Sequence, residues 1–248
     1  MALVLVHGNP ETSAVWDTLA PLLTPSPIVR LSPPGFGAPC PDGFTNTVEE
    51  YRRWLIGELE KFDEPVDIVG HDWGGSHVMN IAMTRSDLLH SWVCDTIGIF
   101  DEDYEWHDLA QTWAAPGAGE DAVARMVNAT NEKRTDDLVK LGMRQDVARK
   151  VAEGQDDNMA QSILRLYRDA AQPTMAHLGE QLENAAARPG LSILTSEDHR
   201  VGTNEQRRRA ADRAGAQTEV LDGLGHWWFS QDPPRAAKVL NGFWNQLR

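Results

Sequence analysis

Short apolar runs recur along the chain, and longer stretches with the periodicity of amphipathic helices separate them. Runs of strand length that are apolar throughout are typical of strands buried on both faces, as in a parallel sheet. Because these runs alternate with helical patterns, the sequence predicts an α/β fold with a mostly parallel sheet. The predicted strands are residues 3–6, 28–31, 66–69, 92–93 with a continuation to Ile97, 191–194 and 218–221.

The segment from residue 99 to residue 188 has a different pattern, which is helical and amphipathic and contains no strand-like run. A length of about 90 residues exceeds what one crossover between strands needs. We therefore expect a helical cap domain at 99–188, inserted into a core domain made of 1–98 and 189–248. Within the cap, helices are predicted at residues 121–128, 136–153 and 158–171.

Composition changes this picture little, since 41% hydrophobic and 24% charged residues are ordinary for a globular protein. The net charge of -14 argues against nucleic acid and anionic membranes as partners. No apolar run reaches the roughly 18 residues of a membrane span, so we expect a soluble cytoplasmic protein. Cys40 and Cys94 are too few for a disulfide framework or a zinc cluster.

The strongest chemical signal is a sharp turn between a strand and a helix. The third predicted strand ends in Gly-His-Asp-Trp-Gly-Gly at residues 70–75, and a helical pattern follows. This is the arrangement of a nucleophile elbow, with Asp72 in the place of the nucleophile. The alternative interpretation is that Asp72 only caps the following helix.

Further chemistry-bearing residues follow the ends of other predicted strands. Asp198 and then the glycine-flanked His226 complete the chain order nucleophile, acid, histidine. Asp95 is the alternative acid. The backbone N–H groups of Asn9, after the first strand, and of Trp73 are expected to form an oxyanion hole.

With these residues in place, the chain resembles the epoxide hydrolase and haloalkane dehalogenase branch of the α/β-hydrolases. The resemblance covers nearly the full length and includes His-Gly-x-Pro at 7–10, Ser-Pro-Pro-Gly-Phe-Gly at 32–37, the elbow, the cap and Gly-His-Trp at 225–227. It implies the α/β-hydrolase fold and an Asp-His-Asp triad, and we expect no cofactor and no metal ion.

One departure from the branch concerns the start of the sheet. Relatives usually have two more strands before the His-Gly-x-Pro loop, which begins here at residue 7. We therefore expect a sheet of about six strands with a different edge strand. An exposed edge favours a homodimer contact or a compensating cover.

An aspartate nucleophile restricts the reaction. Attack by the Asp72 carboxylate on a saturated carbon makes an alkyl ester, and His226, oriented by Asp198, then activates water to hydrolyse it. The substrate carbon must carry a leaving group, which is a halide or a strained epoxide oxygen. We expect a small apolar substrate.

The resemblance implies that different residues stabilise the two leaving groups. Dehalogenases of this branch use a tryptophan after the nucleophile and a loop asparagine, which Trp73 and Asn9 match. Epoxide hydrolases use cap tyrosines, for which Tyr167 and, more weakly, Tyr104 are candidates, and Glu11 after the loop proline also favours them. We predict an epoxide hydrolase, with haloalkane dehalogenase as the alternative and a non-catalytic apolar-ligand-binding homologue as a third.

Overall fold

A sheet of six strands lies at the centre of the protein, and every neighbouring pair is parallel. The structure is a computed structural model that describes residues 1–247. The spatial order of the strands is β2-β1-β3-β4-β5-β6, which confirms the predicted α/β fold with about six strands. The strands are β1 (Leu3–Val6), β2 (Ile28–Leu31), β3 (Val66–Gly70), β4 (Leu89–Cys94), β5 (Gly190–Thr195) and β6 (Gln217–Leu221).

The continuation of the fourth strand to Ile97 is wrong. Strand β4 ends at Cys94, and Ile97 begins a short 3-10 turn. Directly after the strand, the Asp95 carboxylate accepts the backbone N–H of Asp72 at 3.1 Å. An apolar run alone does not indicate where a strand stops, because the turn that follows is buried as well.

Hydrophobic cores cover both faces of the sheet. Successive side chains of a strand point to opposite faces. In β1, Val4 and Val6 join one buried cluster, whereas Leu3 and Leu5 join the other. This two-sided burial explains why β1 is apolar at every position.

Helices connect the strands and form all regular structure between β4 and β5 within residues 1–247. No helix of this described part is long and apolar enough to cross a membrane. The α-helices are α1 (Val48–Leu59), α2 (Trp73–Thr84), α3 (Asp108–Ala114), α4 (Ala118–Asn128), α5 (Asn131–Lys140), α6 (Gln145–Glu153), α7 (Asp157–Asp169), α8 (Thr174–Gly179), α9 (Asn204–Arg213), α10 (Trp228–Gln231) and α11 (Pro233–Gln246).

The predicted helix at 136–153 is two helices, α5 and α6. Gly142 lies between them with a backbone φ of +106°, a conformation that ends a right-handed helix. The two other helices predicted in this segment correspond to α4 and α7. The division of the chain into a core domain and a cap domain stays a prediction.

The sheet brings the chemistry-bearing residues together at one edge. In a parallel sheet all carboxyl ends of the strands lie at the same side, where ligands of α/β proteins usually bind. Asn9, Asp72, Asp95, Asp198 and His226 all lie in turns that follow the carboxyl ends of strands. Helices α3 and α7 supply further residues at this edge, namely Leu109, Trp113 and Tyr167.

Candidate active site

Asp72 lies at a strained turn between β3 and α2. Its backbone has φ of 51° and ψ of -127°, which is unusual for a residue other than glycine. Two glycines allow the close approach of the chain: a Cβ atom on Gly74 would lie 2.2 Å from the Val6 carbonyl, and one on Gly8 would lie 2.2 Å from Asp72 Oδ1. The Asp72 side chain makes no capping hydrogen bond to α2. The turn therefore presents the carboxylate to the edge of the sheet.

The two carboxylate oxygens of Asp72 have different neighbours. The backbone N–H of Asn9 donates to Oδ1 at 2.8 Å. Oδ2 lies 3.5 Å from Nε2 of His226. Burial raises the pKa of Asp72, but the hydrogen bond and charge of His226, the charge of His71 and the Asn9 N–H outweigh it, so the pKa is lowered overall. Asp72 is therefore an anion at neutral pH.

His226 is held by Asp198. Their contact joins Nδ1 of His226 to Oδ2 of Asp198 at 2.7 Å, and the Arg200 backbone N–H donates to the other oxygen of Asp198 at 3.0 Å. Burial lowers the pKa of His226, but Asp198 and Asp72 outweigh burial and raise it to about 9. Burial raises the pKa of Asp198, and the charge and hydrogen bond of His226 lower it overall.

Asp95, the alternative acid, does not contact His226. Its Oδ2 lies 2.6 Å from Nδ1 of His71 and accepts the indole N–H of Trp228 at 2.7 Å. Its Oδ1 accepts the Asp72 backbone N–H. The structure thus brings Asp198, and not Asp95, to the histidine that faces Asp72.

His71 and Glu11 form a charged group behind the carboxylate of Asp72. Nε2 of His71 lies 3.1 Å from Oε1 of Glu11, and both side chains are fully buried. Burial lowers the pKa of His71, but the charges of Asp95 and Glu11 outweigh it and raise the pKa well above its ordinary value. Local sequence pattern indicates His71 only as a packed neighbour of the nucleophile. The sequence feature that could have indicated this group is that two acids, Glu11 and Asp95, follow the ends of β1 and β4, while His71 follows the end of β3 between them.

Together with His226, Glu11 and His71 have the spacing of a possible metal site. Glu11, His71 and His226 bring potential ligand atoms within 4.8 Å of one another. Both ring nitrogens of His71 face carboxylates and Nδ1 of His226 faces Asp198, so these nitrogens have partners within the protein. The expectation of no metal ion and no cofactor stays a prediction.

Two tyrosines line a cavity that also contains Asp72 and Trp73. Tyr104 and Tyr167 are only 4% and 3% exposed. Burial and the charge of Asp72 raise the pKa of both phenols, so both keep their protons at neutral pH. The Tyr104 hydroxyl donates to the Arg200 carbonyl at 2.7 Å, whereas the ring of Tyr167 packs edge-on against Trp73 with centroids 5.4 Å apart.

A second cavity also borders Asp72. This cavity is lined by Asn9, Trp113, Tyr167 and His226 among others. The side-chain nitrogen and oxygen of Asn9 are buried and have no hydrogen-bond partner. Burying an amide without a hydrogen-bond partner costs free energy. Its position beside Asp72 therefore indicates that this amide makes a hydrogen bond to a bound ligand.

Both cavities are narrow. They leave about 10 and 30 Å³ for the centre of a water-sized molecule. A groove of about 580 Å³ lies outside the second cavity and shares four lining residues with it. These residues are Pro10, Leu109, Trp113 and Leu141. Leu109 and Leu141 are 38% and 42% exposed, so an apolar mouth leads toward Asp72.

The chain matches a family model described as "Alpha/beta hydrolase family" over residues 3–239. Among curated proteins, the AB hydrolase superfamily protein YfhM of Bacillus subtilis is 29% identical over 100 residues, which are 38% of this chain and 35% of that protein. The match thus spans about a third of the length of this relative.

Solved structures with the same fold include enzymes of different named activities. A haloalkane dehalogenase loop variant from Bradyrhizobium elkanii has a TM-score of 0.74 and 17% identity, covering 99% of this chain and 89% of that chain. A meta-cleavage product hydrolase from Pseudomonas fluorescens has a TM-score of 0.75 and 17% identity, covering 100% and 92%. Such low identities show a common fold, and the chemistry must be argued from the site.

Proposed function

The chain belongs to the α/β hydrolase family, and we propose that within this family it is an epoxide hydrolase that acts through an alkyl ester of Asp72. Asp72, His226 and Asp198 are proposed as nucleophile, base and acid. The contacts among these three side chains support these roles, as does the unlike environment of the two Asp72 oxygens.

In the first step Oδ2 of Asp72 attacks a carbon of the epoxide ring. Oδ1 is occupied by the Asn9 N–H, so Oδ2 is the oxygen left to form the bond. The carbon–oxygen bond of the ring breaks as the ester bond forms. The released oxygen takes the hydroxyl proton of Tyr167, which lines the same cavity.

In the second step water attacks Cγ of the ester. His226 removes the proton from water, and Asp198 stabilises the imidazolium that results. Negative charge then develops on Oδ1, where the Asn9 N–H already points and where the Trp73 N–H is expected to assist. As the tetrahedral centre collapses, the departing diol oxygen takes the proton held by His226. The second proton of the attacking water then returns to Tyr167, which leaves Asp72 as a carboxylate again.

The observation that carries the choice of an epoxide is the pair of buried tyrosines in the cavity of Asp72. An opening epoxide needs a proton, and both phenols carry theirs at neutral pH, since the ordinary pKa of a tyrosine is already near 10 and burial raises it further. The Tyr104 hydroxyl already donates a hydrogen bond to the Arg200 carbonyl. Tyr167 is therefore proposed as the proton donor, with Tyr104 beside it.

The apolar groove supports a small apolar substrate that enters past Leu109 and Leu141. Because the inner cavities hold little more than water, these side chains must move for a substrate carbon to reach Asp72. Leu109 and Trp113 beside Asp72 also favour attack by the carboxylate, since a bound substrate and these apolar side chains would exclude water from it.

A haloalkane dehalogenase is the second candidate, and the side chain of Asn9 favours it. A departing halide needs N–H donors without a proton transfer. The unpaired Asn9 amide and the Trp73 indole, at the residue after the nucleophile, are two such donors.

Incubation with styrene oxide and with 1-bromobutane separates these candidates. We expect diol from styrene oxide and less bromide from 1-bromobutane. Bromide without diol would establish the second candidate, and neither product from a broad panel would favour a protein that only binds an apolar ligand.

Labelled water tests the ester itself. In a single turnover in water enriched in oxygen-18, the product should take its new oxygen from Asp72 and remain unlabelled, while Asp72 gains the label. Asp72→Asn should show neither product nor label, and Asp42→Asn, at an exposed carboxylate, should behave like the wild type. Label that appears directly in the product would exclude the ester.

A further inference from the structure

The His71 side chain lies between two buried carboxylates, and each of its two ring nitrogens faces a different one. Nδ1 lies 2.6 Å from Asp95 Oδ2, and Nε2 lies 3.1 Å from Glu11 Oε1. A neutral imidazole carries only one N–H, so it would place a bare nitrogen against one carboxylate. An imidazolium donates to both. The arrangement therefore fits a permanently protonated His71.

Each carboxylate of this group also holds a loop of the proposed active site. Glu11 accepts the backbone N–H of Gly8, which precedes Asn9, at 3.1 Å. Asp95 accepts the backbone N–H of Asp72 itself at 3.1 Å. The group thus ties the oxyanion loop to the nucleophile elbow.

The third loop is tied to the group by two tryptophans that directly follow His226. The indole N–H of Trp227 donates to Glu11, and that of Trp228 donates to Asp95. All these side chains are at most 6% exposed, so solvent does not screen the charges or replace the hydrogen bonds. We call Glu11, His71, Asp95, Trp227 and Trp228 the imidazolium cluster.

The ring of His71 lies directly against the base of the proposed reaction. The ring centroids of His71 and His226 are 4.6 Å apart, with their planes at 55°. A positive charge at this distance disfavours a second proton on His226 and favours the anion of Asp72. Asp198 and Asp72 act in the opposite direction and raise the pKa of His226. The negative charges of Glu11 and Asp95 favour the protonated ring in the same way, and His7 is a further titratable neighbour of His71.

We propose that His71 is a positioning residue whose fixed positive charge, held by Glu11 and Asp95, keeps His226 available as a base while the cluster fixes the three loops of the site. This inference rests on the proposed function for its kinetic consequence, although the charge state of His71 does not depend on any substrate. His71 acts through Asp72 and His226 and does not itself touch the reacting atoms.

The kinetic test is the pH profile of ester hydrolysis after rapid mixing with styrene oxide. His71→Gln removes the positive charge, so the acid limb should move to higher pH by about one unit, a tenfold slower step below the limb. Glu11→Gln removes a negative charge and should move the limb to lower pH. Simple damage to the fold would not move the two limbs in opposite directions.

His90→Gln is the matched control. His90 also pairs with a carboxylate, with its Nδ1 2.8 Å from Asp67 Oδ1, but it lies at the amino end of β4 and away from the site. Its limb should coincide with that of the wild type. A limb that is unchanged in His71→Gln, or moves in the same direction in both cluster variants, overturns the proposal.

Nuclear magnetic resonance of ¹⁵N-labelled histidines gives an independent measurement without substrate. His71 should remain doubly protonated between about pH 6 and pH 9, and the titration of His226 should shift upward in His71→Gln. A neutral His71 in this range overturns the inference even if diol forms. These signals without turnover of epoxide or haloalkane would instead reject the proposed function and leave the cluster intact.

Discussion

The backbone N–H of Asn9 donates to Oδ1 of Asp72 at 2.8 Å, although 63 residues separate the two along the chain. This contact makes the two oxygens of the carboxylate inequivalent before any substrate is bound. Oδ1 is already in the environment that a developing oxyanion would need, and Oδ2 lies 3.5 Å from His226. A site built in this way is suited to attack by one oxygen and stabilisation of the other.

His226→Gln should separate the two proposed steps. Alkylation needs only the Asp72 anion, so it should proceed, but ester hydrolysis needs a base and should slow by about 100-fold or more. Mass spectrometry of the peptide containing Asp72 should reveal an added substrate mass.

The matched control for this variant is His177→Gln, at an exposed histidine in α8. It should turn over normally and accumulate no adduct. Absence of an adduct from His226→Gln, with styrene oxide and with 1-bromobutane alike, would contradict the two-step scheme.

The two candidate acids should respond differently to loss of charge. Asp198→Asn removes the carboxylate that contacts His226, so hydrolysis of the ester should fall by about 10³-fold or more while the fold is kept. Asp95→Asn leaves that contact intact but weakens the bonds to His71, Trp228 and the Asp72 backbone. We therefore expect Asp95→Asn to lower the free energy of unfolding and to affect ester hydrolysis less than Asp198→Asn does.

Urea unfolding and single-turnover kinetics on both variants provide the comparison. If Asp95→Asn accumulated the ester as strongly as Asp198→Asn did, Asp95 would have to be assigned a direct part in the activation of water.

Local pattern predicts the sheet well because strands of a parallel sheet are rich in apolar residues. Residues 3–6 and 28–31 coincide with β1 and β2. It fails at Gly142, where a continuous amphipathic pattern conceals a break between helices. A helical period continues across such a break when both helices bury a face.

The site could be predicted as far as each residue follows the end of a strand. The elbow motif led to Asp72, and the chain order led to Asp198 and His226, which the structure brings together. The hydrogen bond from Trp227 to Glu11 could not be predicted, since 216 residues separate the two and no local sequence pattern indicates that they are partners.

Tyr167→Phe should slow the alkylation by styrene oxide by about 100-fold, because the opening epoxide would lose its proton donor. The same variant should alter alkylation by 1-bromobutane much less, since a halide needs no proton. Rapid-quench measurement of the ester tests both substrates.

Tyr104→Phe serves as the comparison, since its hydroxyl donates to the Arg200 carbonyl. We expect a smaller effect on epoxide opening than in Tyr167→Phe. Undiminished epoxide opening in Tyr167→Phe would remove Tyr167 from the mechanism.

The two steps should depend differently on pH. Alkylation requires ionised Asp72, whose pKa is lowered, so its rate should be constant between about pH 5 and pH 9. Hydrolysis requires neutral His226, whose pKa in the free protein is raised to about 9. The hydrolysis rate should therefore rise with pH.

Formation of the ester removes the Asp72 charge, which is one cause of the raised pKa of His226. The midpoint of the hydrolysis profile should consequently lie below pH 9. Stopped-flow fluorescence of the tryptophans can follow both phases, and a hydrolysis rate that fell with rising pH would reject His226 as the base.

Two fully buried tryptophans offer a matched measure of what the imidazolium cluster contributes to stability. Trp228 and Trp244 are each 1% exposed. The Trp228 indole donates to the Asp95 carboxylate at 2.7 Å, whereas the buried Trp244 indole has no partner. Replacement by phenylalanine leaves a similar small cavity in both cases, so the difference isolates the hydrogen bond.

Trp228→Phe should therefore lower the free energy of unfolding by about 1–3 kcal/mol more than Trp244→Phe, because the buried carboxylate loses one of its donors. Urea denaturation measures this difference from the midpoint concentrations, provided that the free energy of unfolding falls with urea at the same slope in both variants. Equal losses in the two variants would mean that the Trp228 N–H contributes nothing to folding, and that the Asp95 carboxylate is stabilised by His71 and the Asp72 backbone alone.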